Sequence, residues 1–247
     1  MSEMSLPLVA IAGIPNSGKS ALFNAITGAK QKVGNYPGIT VEKKQGYCNL
    51  PNGEKIAILD LPGAYSLEPQ SLDESVTKEI LLNKREDVDS IQALVIVVDS
   101  TNLERNLTLA LELKELNYPI VLALNMVDLA QKRGLEICEK SLAKELDIPV
   151  VSTVATKKRG IKELLYQIQV LLSKKSQNNI NNWQPSSDRE IRLRFENIDQ
   201  ILSRSIKRKA SSDTWGDQID KVLLHPVLGF LFLTGVLTFV FQAIFNW

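Results

Sequence analysis

The sequence contains few of the residues from which disulfide frameworks and metal clusters are built. Its 247 residues include two cysteines and one histidine. Cys48 and Cys138 are far apart in unlike surroundings, so neither a disulfide nor a zinc spacing is predicted, and a reducing cytosolic compartment fits. His225 precedes Pro226, a pattern more typical of a helix start than of a metal ligand.

An excess of charge of one sign is also missing, because 29 basic and 28 acidic residues leave a net charge of +1. No polyanionic partner follows from this balance. No basic surface interleaved with aromatic residues indicates RNA, so we predict no nucleic-acid partner. The start, MSEMSLPLVA, lacks the basic region and the long apolar core of a signal peptide.

One long apolar run is present, at the C-terminal end. Residues 222–247 contain no Lys, Arg, Asp or Glu, and the run matches the roughly 20 apolar residues that cross a bilayer. A buried C-terminal helix is the alternative. We expect a first transmembrane helix over 222–247 in a piece of a larger membrane protein. Its N-terminal side is predicted to be cytoplasmic by the basic residues before it, which are Arg204, Lys207, Arg208, Lys209 and Lys221.

Residues 6–172 alternate short apolar runs with segments of helical period. This alternation predicts an α/β domain over 1–172, with a mostly parallel sheet flanked by helices. Pro51-Asn52-Gly53 is a strong hairpin turn, so the strands on either side of it should be antiparallel.

After Leu172 the sequence becomes polar and Asn-rich, which predicts a linker followed by a helix that Ser187 or Asp188 could cap. Two arrangements are open for this helix. Either it packs as part of a small helical subdomain over 173–221, which its acidic residues favour, or it lies on a membrane surface. Its apolar residues at helical spacing are Ile191, Phe195, Ile198, Leu202 and Ile206.

The segment GIPNSGKS follows an apolar strand and opens a predicted helix. Glycines let backbone N–H groups approach phosphates, and the helix N-terminus adds the positive end of its dipole. Lys19 is predicted to reach the β- and γ-phosphates, and the Ser20 hydroxyl to bind Mg²⁺. A simple Gly-rich turn is the alternative. The predicted phosphate-binding residues are Gly13, Asn16, Ser17, Gly18, Lys19, Ser20 and Ala21.

Two further segments are predicted to contact the phosphates and Mg²⁺. In DLPG, Asp60 could hold the metal through water, and the Gly63 N–H could contact the γ-phosphate. In VGNYPGITVE, a predicted mobile loop, Thr40 is the one hydroxyl able to bind the metal, with Gly38 and Ile39 before it. Ala64 follows Gly63 where many GTPases have a water-positioning glutamine.

The segment NMVD follows a buried strand and predicts guanine recognition, hence GTP and GDP as ligands. Asp128 could accept the two N–H donors that guanine has and adenine lacks. Asn125 could bind guanine O6 and tie its loop to the phosphate loop, with Met126 between them. A last loop should close over the base. By its offset from Gly160 it is Ala155-Thr156-Lys157, and Ser152-Thr153 is a rival alignment.

The segments GIPNSGKSALFNAITG, VGNYPGITVEKKQG, DLPGAYSL and NMVD, with the basic segment and HPVLGFLFL, resemble the N-terminal region of the FeoB family of bacterial ferrous iron transporters. The resemblance covers nearly the whole chain. It implies a Ras-like P-loop GTPase domain, a helical domain that favours GDP, and an iron-conducting membrane domain as partner, at the cytoplasmic face of the inner membrane. Small accessory cytoplasmic proteins and an oligomer are further partners that the family suggests. The iron path rests on the resemblance alone, because the sequence offers no iron site.

The resemblance also implies activation by K⁺. Asn16 matches the asparagine that helps to bind the ion in this family, and Gly34 and Tyr36 match positions whose carbonyls complete its shell. The residues expected to act in hydrolysis are then Lys19, Asn16, Thr40 and Gly63. Three hypotheses for the function follow. The chain is a slow, K⁺-stimulated GTPase that regulates Fe(II) uptake, a GTP/GDP switch with negligible hydrolysis, or a ribosome-assembly GTPase. The C-terminal run and the missing RNA surface disfavour the third.

Overall fold

Strands and helices alternate along most of the chain, which the computed structural model describes over residues 6–174, 183–208 and 223–245. The strands are β1 (Leu8–Gly13), β2 (Gln31–Asn35), β3 (Glu42–Asn49), β4 (Lys55–Asp60), β5 (Ile91–Asp99), β6 (Ile120–Asn125), β7 (Leu135–Ile137), β8 (Val150–Ser152) and β9 (Ile206–Arg208). In these described residues, seven strands form one sheet in the order β2-β3-β4-β1-β5-β6-β8, and β7 pairs with β9 in a second sheet.

The centre of the large sheet is parallel and buried on both faces. β1 pairs in parallel with β4 and β5, β5 with β6, and β6 with β8. All six residues of β1 and all six of β6 are buried, which explains why their sequences are apolar without alternation. β3 is antiparallel to β4 across the turn at Pro51-Asn52-Gly53, as predicted. The α/β class with a mostly parallel sheet is therefore confirmed.

Helices cover both faces of this sheet. α1 and α6 pack on one face through residues such as Phe23 and Ile168. α2, α3, α5 and α7 pack on the other through residues such as Ile80 and Leu107. The helices are α1 (Lys19–Thr27), α2 (Leu72–Leu81), α3 (Leu103–Lys114), α4 (Val127–Lys132), α5 (Glu139–Leu146), α6 (Ile161–Ser173), α7 (Asp188–Ser205) and α8 (Leu228–Phe245).

Helix α7 is packed on the rest of its compact unit. The small helical subdomain over 173–221 stays a prediction, since much of that range lies outside the described residues. A capping box between Ser187 and Glu190 starts α7, and Ile198 and Ile201 are buried in the same core as α3 and α5. It belongs to the compact unit Met1–Lys207 together with the sheet. Phe195, predicted to pack with the other apolar residues of this helix, is instead 45% exposed. The predicted linker lies mostly outside the described residues.

Residues 33–42, predicted to be a mobile loop, are partly a strand. Val33, Gly34 and Asn35 form the end of β2, which pairs antiparallel with β3. The residues of β2 are all exposed, so no apolar alternation reveals the strand in the sequence. Backbone hydrogen bonds to the neighbouring strand, which local sequence does not encode, replace the loop with an edge strand.

The second compact unit, Arg208–Trp247, is described over residues 223–245. His225 marks a helix start, since its Nδ1 accepts the N–H groups of Val227 and Leu228 at 3.3 and 3.4 Å. Nowhere in the described ranges is a helix both long and apolar enough to cross a membrane, so the span predicted over 222–247 is not confirmed.

Candidate functional site

The carboxyl ends of β1 and β4 bring the phosphate loop and Asp60 together. Lys19, the first residue of α1, forms an ion pair with Asp60. The Ser20 hydroxyl donates to the other carboxylate oxygen of Asp60 at 3.3 Å. The side chains of Lys19 and Asp60 are 11% and 3% exposed, so two opposite charges face each other largely out of water. A cavity of about 440 Å³ opens here, lined by Ile14, Pro15, Asn16, Gly18, Lys19, Ser20, Ala21, Gly63 and Asp73.

The donor set of this cavity fits a nucleotide phosphate with Mg²⁺. The Ser20 hydroxyl and the Asp60 carboxylate are the hard oxygen ligands that Mg²⁺ prefers. Lys19 supplies a positive charge, and the N-terminus of α1 supplies N–H groups and the positive dipole end. Asp73 also lines the cavity. No motif indicates this residue, because it reaches the site only through the packing of α2.

Asn125, at the end of β6, joins the phosphate loop to the base loop. Its Nδ2 donates to the Ser17 carbonyl at 3.1 Å, which is the tie predicted from the sequence. Its Oδ1 accepts the Ala155 N–H at 3.1 Å and the Thr153 hydroxyl at 3.3 Å. The amide is buried, so this geometry is shielded from water. The chain from Thr153 to Ala155 therefore closes over Asn125.

Gly18 makes this junction possible. Its φ is 84°, a left-handed value that favours glycine. A Cβ at residue 18 would also collide with Asn125 Nδ2. Any side chain there would displace the Asn125 amide that joins the phosphate loop to the base loop.

Asp128 lies in the first turn of α4 with its carboxylate held on two sides. Oδ2 accepts the Lys157 ammonium at 2.7 Å, and Oδ1 accepts the Leu129 N–H at 3.1 Å. The hydrogen bond from Lys157, first among several causes, lowers the pKa of Asp128. The group is therefore an ionised acceptor at neutral pH, as recognition of the guanine N–H donors needs. Met126 has a φ of 60°, and Thr156 is exposed in the 3₁₀ turn Ala155–Lys157.

The predicted switch residues are not all brought to the cavity. Asn16 lines it, but Gly34, Tyr36 and Thr40 do not. Gly34 is exposed in β2, and Gly38, Ile39 and Thr40 follow in the turn to β3. The Tyr36 carbonyl, a predicted K⁺ ligand, accepts the Ile39 N–H at 3.2 Å.

The segment after Gly63 is held by two carboxylates that the sequence did not indicate. Ala64 is 2% exposed, and its N–H donates to the Gly13 carbonyl at 3.3 Å. Glu74 of α2 accepts the N–H groups of Tyr65 and Gln70 at 3.0 and 2.7 Å. Glu112 of α3 accepts the Leu67 N–H at 2.8 Å. Both acids act through tertiary contacts, and no local motif marks them.

A phosphate loop before the first helix, a carboxylate at the end of β4 and a base loop held by Asn125 together define a P-loop G domain. The comparisons with known proteins make this specific. The chain belongs to the Ferrous iron transport protein B family, whose model matches residues 8–168. In the described residues, no three His, Cys, Asp or Glu side chains are grouped so as to hold a metal ion.

Relatives and solved structures agree with this assignment. The chain is 37% identical over 246 residues to the Fe(2+) transporter FeoB of Helicobacter pylori strain J99, covering 96% of this chain and 37% of that protein. The cytosolic domain of the T. maritima FeoB iron transporter in a GDP form is similar with a TM-score of 0.70, 29% identity and coverage of 83% of this chain and 100% of that one. The G domain of the same transporter is similar with a TM-score of 0.61 and 41% identity, covering 67% of this chain and 98% of that one. The chain thus spans about a third of the length of its curated relative.

Proposed function

We propose that this chain binds GTP and GDP with Mg²⁺ and hydrolyses GTP. The observation that carries the proposal is the hydrogen bond from Asn125 Nδ2 to the Ser17 carbonyl. It joins the strand end that carries Asn125 to the loop that carries Ser17, which supports the binding of one ligand by both predicted sets of residues, those for guanine and those for phosphate.

In this proposal each residue has a separate task. Bound Mg²⁺ and K⁺ supply positive charge against the phosphates. Lys19 exchanges its ion pair with Asp60 for phosphate oxygens, and this frees the Asp60 carboxylate to face the metal together with Ser20. The Gly63 N–H contacts the γ-phosphate, and Asp128 accepts the guanine N–H donors. Charge stabilisation of this kind is the main contribution of a protein to phosphoryl transfer.

The side chain of Ala64 takes no part, since it is buried. We therefore propose that backbone groups of residues 33–42 and 60–67 hold the attacking water. Basal hydrolysis is then slow. Asn16, which lines the cavity and is exposed, would hold K⁺ together with the backbone carbonyls of Gly34 and Tyr36 once residues 33–42 have moved, and the ion would supply positive charge at the phosphates.

Phosphate release with K⁺ or Na⁺ as the only monovalent cation tests this mechanism. Wild-type protein should hydrolyse GTP at least about tenfold faster with K⁺, because an added cation replaces an arginine finger. Asn16→Ala should lose most of that difference while retaining GDP affinity. An Asn16→Ala variant with the full response to K⁺ would refute the role of this residue.

The second candidate is a conformational switch with negligible hydrolysis, and the burial of Ala64 favours it. Single-turnover hydrolysis measured against the rate at which residues 33–42 rearrange separates the two. Hydrolysis slower than nucleotide exchange in K⁺ would support the switch.

We further propose that nucleotide turnover in this chain regulates ferrous iron transport at the cytoplasmic face of the inner membrane, with a membrane-embedded permeation domain as its partner. The family assignment supports this role. A chimaera tests it: the chain replaces its matched region in the Helicobacter pylori relative, and uptake of labelled Fe(II) is measured. Uptake should be restored by the wild-type chain and not by Lys19→Ala, and equal uptake with both would contradict the role.

A further inference from the structure

The segment expected to carry Thr40 to the metal is attached to the sheet in this structure. We call residues 33–42 the switch segment. Gly34 and Asn35 pair with Lys43 and Glu42 of β3. Beyond the strand, the Tyr36 N–H donates to the Val41 carbonyl at 2.9 Å. Thr40 is exposed and does not line the phosphate cavity.

The side chain of Tyr36 anchors this attachment. It is 1% exposed and belongs to the core that α2 and α3 share. Two cations lie over its ring, with Arg85 5.3 Å and Lys43 5.5 Å from the centroid. Cations near an aromatic face are attracted to its quadrupole, more strongly where water is excluded. The switch segment is thus held by one buried residue whose ring contacts two cations.

Arg85, after the end of α2, is fixed from its other side. Its Nε donates to Asp87 at 2.8 Å and its Nη1 to Glu79 at 3.3 Å. Its Nη2 donates to the Pro37 carbonyl at 3.4 Å. The side chain is 13% exposed, so the guanidinium is nearly covered. Arg85 therefore connects the switch segment to α2 and to the loop before β5.

The hydroxyl of Tyr36 is not what holds the segment. Within the described residues, Tyr36 Oη is buried and has no hydrogen-bond partner. Burial raises the pKa of this hydroxyl well above its ordinary value, so it stays neutral. The holding contacts are those of the ring and of the Pro37 carbonyl.

We propose that Arg85 is a positioning residue that holds the switch segment on the sheet edge and so favours binding of nucleoside diphosphate over triphosphate. The inference rests on the proposed function. A triphosphate needs Thr40 at the metal, so its binding must release the contacts of Arg85 and Tyr36. A diphosphate makes no such demand. A ligand shifts a two-state equilibrium only by its difference in affinity for the two states.

Arg85→Gln tests this by two measurements on the whole chain. The affinity for a non-hydrolysable GTP analogue should rise about threefold to tenfold, the range expected for losing one partly buried cation–π contact and its hydrogen bonds. The affinity for GDP should stay unchanged. Amide hydrogen exchange of residues 31–36, measured without nucleotide, should accelerate. If Arg85 only stabilised the fold, its substitution would lower the affinities for GDP and for the GTP analogue together.

Lys84→Gln is the matched control, because it removes one charge from the neighbouring exposed residue and should change neither measurement. Arg85→Lys keeps the charge near the ring but not the fork of donors, so it should fall between Arg85→Gln and the wild type. If Arg85→Gln does not fold, Glu79→Gln, which loosens the same guanidinium from an exposed partner, should shift the affinity ratio in the same direction.

An unchanged ratio of the two affinities in folded Arg85→Gln or Glu79→Gln would overturn the inference. Weaker binding of the GTP analogue by either variant would overturn it as well. Wild-type protein that binds neither nucleotide would instead refute the proposed function. The exchange measurement needs no nucleotide, so slow exchange of residues 31–36 in Arg85→Gln would show independently that Arg85 does not hold the segment.

Discussion

Gly18 is the residue at which the predicted phosphate loop and the predicted base loop touch. Its missing side chain lets Asn125 Nδ2 donate to the Ser17 carbonyl, and Oδ1 of the same amide accepts the Ala155 N–H. The phosphate loop and the base loop therefore depend on one close approach. A change at Gly18 should affect affinity for the whole nucleotide, not for the phosphates alone.

Gly18→Ala should lower GDP affinity by at least about tenfold, since both a left-handed backbone and a collision with Asn125 oppose the substitution. Gly53→Ala is the matched control. Gly53 also has a positive φ, of 86°, but a Cβ there would meet nothing within 4 Å. Calorimetric titration of folded protein with GDP compares them, and equal losses in the two variants would contradict the role of the collision.

At the scale of elements, helix α7 is joined to the segment after Gly63 through one buried acid. Glu112 accepts the Leu67 N–H with one oxygen and Arg194 of α7 with the other, at 2.8 and 2.9 Å. The side chains of Arg194 and Glu112 are 9% and 10% exposed. Removing one partner of such a pair leaves a charge buried without compensation.

Arg194→Gln should therefore lower the free energy of unfolding by about 3 kcal/mol. The midpoint of urea denaturation measures this. Arg192→Gln, an exposed arginine on the same helix, is the control and should change stability by less than about 0.5 kcal/mol. A loss as small as that of the control would show that the pair does not stabilise α7.

The same pair predicts a pH dependence. Burial, the largest cause, raises the pKa of Glu112 above its ordinary value. A carboxyl with a raised folded-state pKa binds its proton more tightly when folded, so its contribution is complete below the ordinary pKa and is lost as pH rises through the raised one. Arg194 opposes the rise, so Arg194→Gln should make the loss of stability with increasing pH steeper than in the wild type. Parallel pH profiles would contradict this.

The elements differ in how much of them the sequence reveals. The buried strands β1, β5 and β6 and the β3–β4 hairpin follow from apolar runs and from Pro51-Asn52-Gly53, which are local signals. β2 does not, because its five residues are exposed and it is a strand only through pairing with β3. Phe195, predicted to be buried, is 45% exposed, because helical spacing shows which residues share a face but not how much of that face a neighbouring element covers.

At the scale of the whole molecule, the sequence predicts those residues of the candidate site that lie at or just after the ends of strands. Lys19, Asp60 and Asn125 follow or end parallel strands, and such ends meet at one edge of the sheet. Glu74, Glu112 and Arg85 could not be predicted, because they reach the nucleotide-binding segments by the packing of α2 and α3. The span predicted over 222–247 from hydrophobicity is not confirmed by the described helices.

The most direct test of the central claim is a calorimetric titration of the chain with GDP and with ADP in the presence of Mg²⁺. We predict GDP to bind at least about a hundredfold more tightly, because Asp128 accepts N–H donors that adenine lacks. Asp128→Asn should then prefer xanthosine diphosphate, since an amide can donate to the additional oxygen of xanthine. Equal affinities for GDP and ADP, or a preference unchanged in Asp128→Asn, would contradict the account.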